Sequence, residues 1–283
     1  MNGVLLIDKP KGITSRDAVN TVIKIFNTKK VGHTGTLDPI ATGVLVICVG
    51  KATKLVEYLT STDKEYIATV ELGTLTDTLD NTGNVLKEED SKISKEKIIN
   101  TLQKFKCKYM QEVPIYSAVK VNGKKLYEYA RNNEEVILPK REVEIKSIDI
   151  VDEVSYINKK TIFKFKCTVS KGTYIRALIN DIANDLGTIG IMTDLRRIRQ
   201  GKFDINNCVK LDSIEKDDLI SIKDVIDCKK INLDSHIEKK VLNGNKINNI
   251  YDTDEVLFIR NDKAVALYKG NNELKLSVMF KEE

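Results

Sequence analysis

Residues 32–50 read GHTGTLDPIATGVLVICVG, a glycine-rich loop that runs into an uninterrupted apolar stretch. Glycine supplies unusual backbone angles, and Asp38 followed by Pro39 favours turn initiation, so the first part is predicted to be a loop. Residues 44–50 are apolar and bounded by glycines, a pattern typical of a strand buried on both faces. The sequence therefore predicts a carboxylate, Asp38, in a loop beside the core, either as a turn residue or as a chemical group.

Strand and helix patterns lie on both sides of this loop. The stretch GVLLIDKP at 3–10 predicts a buried strand that ends in a turn. A helix is predicted next, because Thr14 or Ser15 can cap it and apolar residues follow at helical spacing. Residues 66–73 and 162–169 have the composition and alternation of strands. The chain is thus predicted to mix strands and helices throughout.

The remaining segments differ in character. A helix is predicted from Ile175, directly after a glycine turn, and residues 84–112 are charged and helix-like. Residues 113–141 carry tyrosines interleaved with Lys and Arg, which suits single-stranded RNA or a hairpin with a solvated face. Residues 204–224 are polar and mildly acidic and are predicted to be a linker. From about residue 227, alternating segments separated by turn residues predict a small β-rich module.

Composition bounds the class of protein. At 283 residues and 31.9 kDa the chain can form one large domain, or a domain with a small appended one. Hydrophobic residues make up 41% and charged residues 31%, which is ordinary for a globular protein. No stretch has the apolar length of a membrane span, and the apolar run at the N-terminus is too short for a secretion signal, so a cytoplasmic location is expected.

Several chemical classes are excluded by the absence of their motifs. Five cysteines without a CxxC pair and two distant histidines predict neither a disulfide framework nor a metal site. No phosphate loop, dinucleotide fingerprint, nucleophile elbow or HExxH motif is present. The net charge of +5 fits a polyanion-binding surface, but a lysine-rich solvated surface explains it equally well.

Several sequence blocks together resemble one family, the TruB-type bacterial tRNA pseudouridine synthases. The likeness covers essentially the whole chain. The blocks, in family order, are GVLLIDKPKGITS at 3–15, GHTGTLDPIATGVL at 32–45, DKEYIATVELGTLTDTLD at 63–80, YSAVKVNGKKLYEYAR at 116–131 and SKGTYIRALINDI at 170–182, followed by LRRIRQGKF at 195–203.

The resemblance implies a fold and a domain order. The expected class is α+β, with a pseudouridine-synthase core made of a large mixed, mainly antiparallel sheet flanked by helices, and a small β-rich PUA-like C-terminal domain. Residues 1–224 would form the catalytic domain, with an RNA-binding flap at about 113–141. Residues 225–283 would form the PUA-like RNA-binding domain.

The resemblance also implies an activity: isomerisation of uridine 55 in the tRNA T-loop to pseudouridine, with the target base flipped out. No cofactor, metal, membrane or obligate protein partner is expected, and a monomer that binds the T-arm stem-loop is predicted. Two alternatives stay open. The chain could act as a tRNA-folding chaperone, alone or besides catalysis, or as a guide-RNA-dependent synthase of the archaeal and eukaryotic type.

By the same resemblance, Asp38 is the catalytic carboxylate and Arg176 the cation that pairs with it. Tyr66 is expected to stack on the extruded uracil, although core packing is the ordinary role of a tyrosine in a strand. The predicted substrate-binding residues come from the loop, the flap and the last two blocks: His33, Lys120, Tyr174, Leu195, Arg196 and Arg197. For the two arginines, a solvated charged edge is the alternative.

Overall fold

The computed structural model describes residues 1–280. The strands are, in chain order, β1 (Gly3–Lys9), β2 (Val31–His33), β3 (Thr42–Val49), β4 (Lys64–Leu72), β5 (Thr74–Thr76), β6 (Val85–Glu88), β7 (Lys108–Glu112), β8 (Lys120–Val121), β9 (Lys124–Lys125), β10 (Lys140–Ile150), β11 (Ser155–Ile157), β12 (Lys160–Val169), β13 (Gly190–Gln200), β14 (Phe203–Asp204), β15 (Val209–Lys210), β16 (Lys229–Asn232), β17 (Ile247–Asn248), β18 (Glu255–Arg260), β19 (Lys263–Lys269) and β20 (Glu273–Met279). The α-helices are α1 (Ser15–Phe26), α2 (Val56–Thr60), α3 (Lys95–Lys104), α4 (Leu126–Arg131), α5 (Ile175–Asp185), α6 (Ile222–Val225) and α7 (Ser235–Leu242).

The chain divides into two compact units that do not follow sequence order. The first unit contains Met1–Asp38, Leu45–Ser61 and the chain from Asn206 onward. The second unit contains Pro39–Val44 and Thr62–Ile205.

The second unit is built on a mixed, mainly antiparallel sheet. Its strand order is β3-β13-β4-β12-β10-β7, where β3 contributes only its first residues and pairs in parallel with β13. The other pairs along this path are antiparallel. Helices α3 and α5 pack on these strands. The predicted α+β class with a large, mainly antiparallel sheet is confirmed.

Alternation in β12 and β4 explains how this sheet gains its apolar face. Phe163, Phe165 and Cys167 of β12 are buried, while Lys164 and Lys166 between them are exposed. Strand β4 alternates in the same way and lies antiparallel to β12. Successive side chains of a strand point to opposite faces, so the two strands present one common apolar face.

The first unit contains the N-terminal helix and its own strands. Strands β15, β1 and β3 are neighbours in that order, and β2 pairs with β3. Thr14 caps α1 by accepting a hydrogen bond from the Asp17 backbone, and the Asp17 side chain returns the contact, so the predicted cap is confirmed.

A five-stranded sheet, ordered β16-β18-β19-β20-β17, completes the first unit and confirms the predicted β-rich C-terminal module. The turn between β18 and β19 lies at Asn261-Asp262, both in the left-handed region, as the sequence predicted. This sheet is tied to the α2 region: Lys54 Nζ donates to the Met279 carbonyl at 2.7 Å, and the Tyr58 hydroxyl lies 3.3 Å from Glu255 Oε2.

The predicted linker at 204–224 is wrong. Val209–Lys210 forms β15 and pairs in parallel with Ile7–Asp8 of β1, and Ile220 bridges to Val4. Polar composition suggested a linker, but two-residue pairings of this kind leave no periodic pattern in the sequence. The division at residue 224 stays a prediction.

The prediction that 84–112 is helical is correct only for α3. The flanking residues form β6 and β7 instead. Among residues 1–280, no helix combines the length and the apolar character that crossing a membrane requires.

Candidate active site

The loop that carries Asp38 is anchored through the residue before it. Ser15, the first residue of α1, is buried, and its hydroxyl accepts a hydrogen bond from the Leu37 backbone N–H at 2.8 Å. The same hydroxyl donates to the Leu37 carbonyl at 3.0 Å. Both backbone groups of Leu37 are thus bound, which fixes the backbone immediately before Asp38 relative to α1. The Asp38 side chain is half-buried.

His33 lies in the same unit, at the end of β2 and opposite Ile47 of β3. Its Nδ1 accepts a hydrogen bond from the Gly35 backbone N–H at 3.3 Å, which links the loop to the histidine ring. The glycine-rich loop is therefore shaped at one end by His33 and at the other by Ser15, a residue that the sequence analysis placed only as a possible helix cap.

Tyr66 and Leu195 share one face of the sheet in the second unit. Tyr66 lies on β4 directly opposite Arg197 of β13, and Leu195 lies opposite Ala68. Residues two apart on a strand, and residues directly opposite, point to the same face. Tyr66 is 8% exposed and Leu195 is 5% exposed, so both are buried side chains.

Arg176 is the second residue of α5 and is only 5% exposed. Its guanidinium donates from Nη1 to the Thr78 carbonyl at 2.7 Å and from Nη2 to the Tyr116 carbonyl at 3.0 Å. Its Nε lies 3.8 Å from Asp80 Oδ2, in an ion pair between two buried side chains. The arginine is therefore oriented by groups from two separate segments.

Asp80 was missed as an individual residue, although it lies in the TLTDTLD stretch of a matching block. Its Oδ1 accepts hydrogen bonds from the Thr78 hydroxyl at 2.8 Å and from the Thr82 backbone at 3.0 Å. Leu79, between them, has φ +60, which is unusual for a side chain of this kind. A carboxylate held this firmly beside an arginine fixes that arginine's position.

Tyr174 precedes α5 and is half-buried. Both of its backbone groups bind the side chain of Gln111: the Tyr174 N–H donates to Oε1 at 2.8 Å, and the Tyr174 carbonyl accepts from Nε2 at 3.2 Å. No pattern in the sequence pointed to Gln111. The structure thus links the start of α5 to strand β7.

The two predicted arginines of β13 differ in exposure. Arg196 is half-buried and donates to the Thr42 hydroxyl at 3.2 Å. Arg197 is 1% exposed, and its Nε donates to the Val44 carbonyl at 2.7 Å. The β13 backbone passes so close to Gly43 that a Cβ there would lie 2.2 Å from the Arg197 carbonyl oxygen. Arg197 thereby helps to hold the start of β3 on β13, and its predicted phosphate contact stays a prediction.

The flap contains Lys120 and a compact aromatic–cation surface. Lys120 is exposed on the β8–β9 hairpin, whose turn, Asn122-Gly123, has positive φ at both residues. Lys124 lies 4.7 Å from the centre of the Tyr129 ring, and Lys125 lies 5.3 Å from that of Tyr127. The interleaved tyrosines and lysines of the sequence are thus paired face to cation.

A thiol nucleophile is not supported at the two buried cysteines. Burial raises the pKa of the Cys48 thiol to about 12 and also raises that of Cys167, which lies opposite Tyr66. The thiolate is the nucleophilic form, so both thiols are unreactive at neutral pH.

The predicted site residues fall on both units. Asp38 and His33 belong to the first, whereas Tyr66, Tyr174, Arg176, Leu195, Arg196, Arg197 and the flap residue Lys120 belong to the second. The pairing of Asp38 with Arg176 stays a prediction.

Comparison with known proteins gives a consistent result. Residues 23–175 match the model of the TruB family pseudouridylate synthase N-terminal domain, and residues 176–238 match that of the tRNA pseudouridylate synthase B C-terminal domain. The chain is 44% identical to tRNA pseudouridine synthase B of Caldicellulosiruptor saccharolyticus, over 87% of this chain and 84% of that protein. It is 42% identical to the Staphylococcus aureus (strain MSSA476) protein of the same name, over 94% of both chains.

Solved structures share the fold. A chain of a Cbf5-Nop10-Gar1 complex superposes with a TM-score of 0.71 at 25% identity, over 99% of this chain and 85% of that chain. A chain of an H/ACA RNP bound to a substrate RNA gives a TM-score of 0.70 at 24% identity, with the same coverage.

Proposed function

Because this chain belongs to the TruB family of pseudouridylate synthases, we propose that it converts uridine 55 in the T-loop of tRNA to pseudouridine, with Asp38 as the essential carboxylate. The observation that carries the assignment of Asp38 is the loop itself. A turn residue would need no fixed neighbour, yet both backbone groups of Leu37 are held by the buried hydroxyl of Ser15. Such support is expected where a side chain must keep one orientation.

The reaction is an isomerisation without a net redox change. The bond from the ribose C1′ to N1 of uracil breaks, the base turns, and C1′ bonds to C5 of the same base. N1 gains a proton and C5 loses one. A carboxylate serves this chemistry as a nucleophile or as the group that assists departure of uracil. No other reactant enters the balance.

Arg176 and Tyr66 have distinct roles in this proposal. Arg176 pairs with Asp38 and holds the orientation of its carboxylate. Its orientation is supported by its bonds to the Thr78 and Tyr116 carbonyls and by its ion pair with Asp80. Tyr66 stacks on the flipped uracil, which offsets part of the few kcal/mol that extrusion of a base costs.

The remaining residues of the proposal hold the RNA and line the pocket. His33 enters the T-loop where the target uridine leaves, and Tyr174 and Leu195 line the pocket around the base. Lys120 and Arg196 contact phosphates, so affinity for a T-arm stem-loop falls as salt concentration rises. The protein acts as a monomer without an obligate protein partner.

The decisive experiment compares wild type with Asp38→Asn on an unmodified tRNA transcript, with no other protein, metal or guide RNA. We expect wild type to convert the T-loop uridine and the variant to convert none, with RNA affinity within about twofold. Asp212→Asn, at an exposed aspartate of the same unit, is the matched control and should behave as wild type. Pseudouridine is located by base-specific chemical labelling.

Each other outcome has a defined meaning. Conversion by Asp38→Asn at the wild-type rate would remove Asp38 from catalysis. Binding without conversion by wild type would overturn the standalone isomerase. Restoration of tRNA folding without conversion would then support the chaperone, whereas conversion only after addition of a guide RNA would support the guide-dependent synthase.

A further inference from the structure

A buried amide lies at the junction of β7 and α5. Gln111 is 1% exposed, and it and Tyr109 are on the same side of β7, two residues apart. Their neighbours on the other face, Met110 and Glu112, are exposed. A polar side chain is buried at this depth only when its hydrogen bonds are satisfied.

The side-chain amide of Gln111 both accepts from and donates to the backbone of Tyr174, as a neighbouring strand does in a sheet. Oε1 accepts from the Tyr174 N–H at 2.8 Å, and Nε2 donates to the Tyr174 carbonyl at 3.2 Å. The second Nε2 hydrogen goes to the Tyr109 hydroxyl at 2.7 Å. Both donors of the amide are thus used, which leaves the side chain one orientation.

Tyr109 extends the network onto α5. Its hydroxyl donates to Asp181 Oδ2 at 3.1 Å, six residues beyond the start of the helix. Burial raises the pKa of the Tyr109 hydroxyl and that of the Asp181 carboxyl. Strand β7 therefore holds α5 at two levels, through the backbone of Tyr174 and through Asp181.

The same helix start is held from a second direction by Arg176. Its Nη2 donates to the Tyr116 carbonyl, which is five residues after Gln111 on the segment that leads into the flap. The segment 111–116 thus binds the start of α5 twice. The two Gln111 bonds fix the backbone of Tyr174, two residues before Arg176. The bond to the Tyr116 carbonyl comes from the Arg176 guanidinium itself.

We propose that Gln111 is a positioning residue that sets the backbone of Tyr174, and through it the guanidinium of Arg176, for the isomerisation step. This inference rests on the proposed function, because it needs Arg176 and Tyr174 to act at the reacting base. Gln111 hydrogen-bonds the backbone of Tyr174, so we expect it to affect the position of the reacting groups more than the phosphate contacts of the RNA.

The test is Gln111→Met, which keeps the length of the side chain and removes its hydrogen bonds. We expect kcat for T-loop pseudouridine formation, per folded molecule, to fall about ten- to a hundredfold, since small displacements of positioned groups cost up to about that factor. KM and the Kd for RNA should stay within about twofold. The folded fraction is measured by circular dichroism at the assay temperature.

Thr161→Val is the matched control for loss of stability alone. Thr161 is fully buried, donates to the Ser91 carbonyl at 2.6 Å and accepts from the Ile93 N–H at 3.1 Å. This variant also removes two side chain–backbone bonds from the second unit. It should lower the melting temperature and leave kcat per folded molecule unchanged.

If Gln111→Met does not fold, Tyr109→Phe tests the proposed role of Gln111 instead. It removes the hydroxyl that accepts from the Gln111 amide and donates to Asp181 but keeps both Gln111 bonds to Tyr174, so kcat should fall only about threefold. Wild-type kcat in whichever of the two variants is measured would overturn the proposal. If wild type itself forms no pseudouridine, the proposed function fails; if wild type is active, Asp38→Asn is inactive and Gln111→Met has wild-type kcat, only this inference fails.

Discussion

Two polar regions of the second unit hold their side chains in opposite ways. At the junction of α5 with β7, Gln111 and Arg176 are buried and bind backbone carbonyls. In the flap, Lys124 and Lys125 are half-exposed and lie over tyrosine rings. The buried arrangement fixes the orientation of its side chains, whereas the half-exposed lysines present positive charge on a surface that can adjust to a bound partner.

The energetic consequence follows from burial. A buried group that loses its partner bears the full desolvation penalty, about 1–3 kcal/mol or more if charged. An exposed ion pair such as Lys124 with Glu134 contributes about 0–1 kcal/mol. Substitutions at the junction should therefore change the rate of the chemical step, and substitutions in the flap should change RNA affinity.

The largest expected effect that tests this contrast is Arg176→Lys. An ammonium group cannot occupy the two carbonyl positions and the Asp80 contact of a guanidinium at once. We expect kcat for pseudouridine formation to fall about 100-fold with little change in RNA affinity. Arg199→Lys, at a partly exposed arginine paired with Glu65, is the control and should be close to wild type. An equal loss in both would contradict the contrast.

A smaller effect is expected when Lys120, Lys124 and Lys125 are replaced together by alanine. The slope of log K against log salt should flatten by about 0.7 for each lost phosphate contact, so the total change in slope for three contacts is about 2. The kcat at saturating RNA should stay unchanged. The control replaces Lys106, Lys108 and Lys164, exposed lysines of the same unit, and removes the same charge. A salt slope that does not differ between the two triple variants would remove the flap from the RNA interface.

The smallest effect concerns pH and a buried lysine of β4. Burial, and then the nearby charge of Arg197, lower the pKa of Lys64 from 10.5 to about 8. Between these values the unfolded chain binds more protons than the folded one, so the lysine makes the free energy of unfolding increase with pH in this window. Urea unfolding at pH 7.5–10.5 should show this contribution in wild type and not in Lys64→Met.

The exposed counterpart is Glu134, whose pKa is lowered by hydrogen bonds from Lys124 and then Asn132. This stabilisation is present above the ordinary glutamate pKa and is lost as pH falls. Because the pair is exposed, Glu134→Gln should not measurably change acid unfolding. A clear shift in Glu134→Gln, together with none in Lys64→Met, would contradict the expectation that the buried group contributes more than the exposed one.

Elements that the sequence predicts well are those with a long internal pattern. The alternation of β12 and the apolar run of β3 are set by which face is buried, and α1 has both periodicity and a cap. Strands β7 and β15 were missed, because two to five residues carry no period of their own and are defined by distant partners.

In the candidate site, too, contacts that depend on distant partners could not be predicted from the sequence. The family resemblance supplied Asp38, Tyr66 and Arg176, whose blocks are distinctive in residue type. Ser15 and Gln111 act through backbone groups 22 and 63 positions away, and such contacts depend on the fold rather than on local sequence. Hydrogen-bond partners of this kind could not be derived from propensity or spacing.

The ties between α2 and the C-terminal sheet have a consequence for synthesis of the chain. Lys54 and Tyr58 leave the ribosome some two hundred residues before their partners, Met279 and Glu255. All but six residues of the second unit, in contrast, lie between positions 62 and 205. Domains fold as units while the nascent chain grows, so translation should complete the second unit first. The first unit cannot form both of these ties until strand β20 has been synthesised.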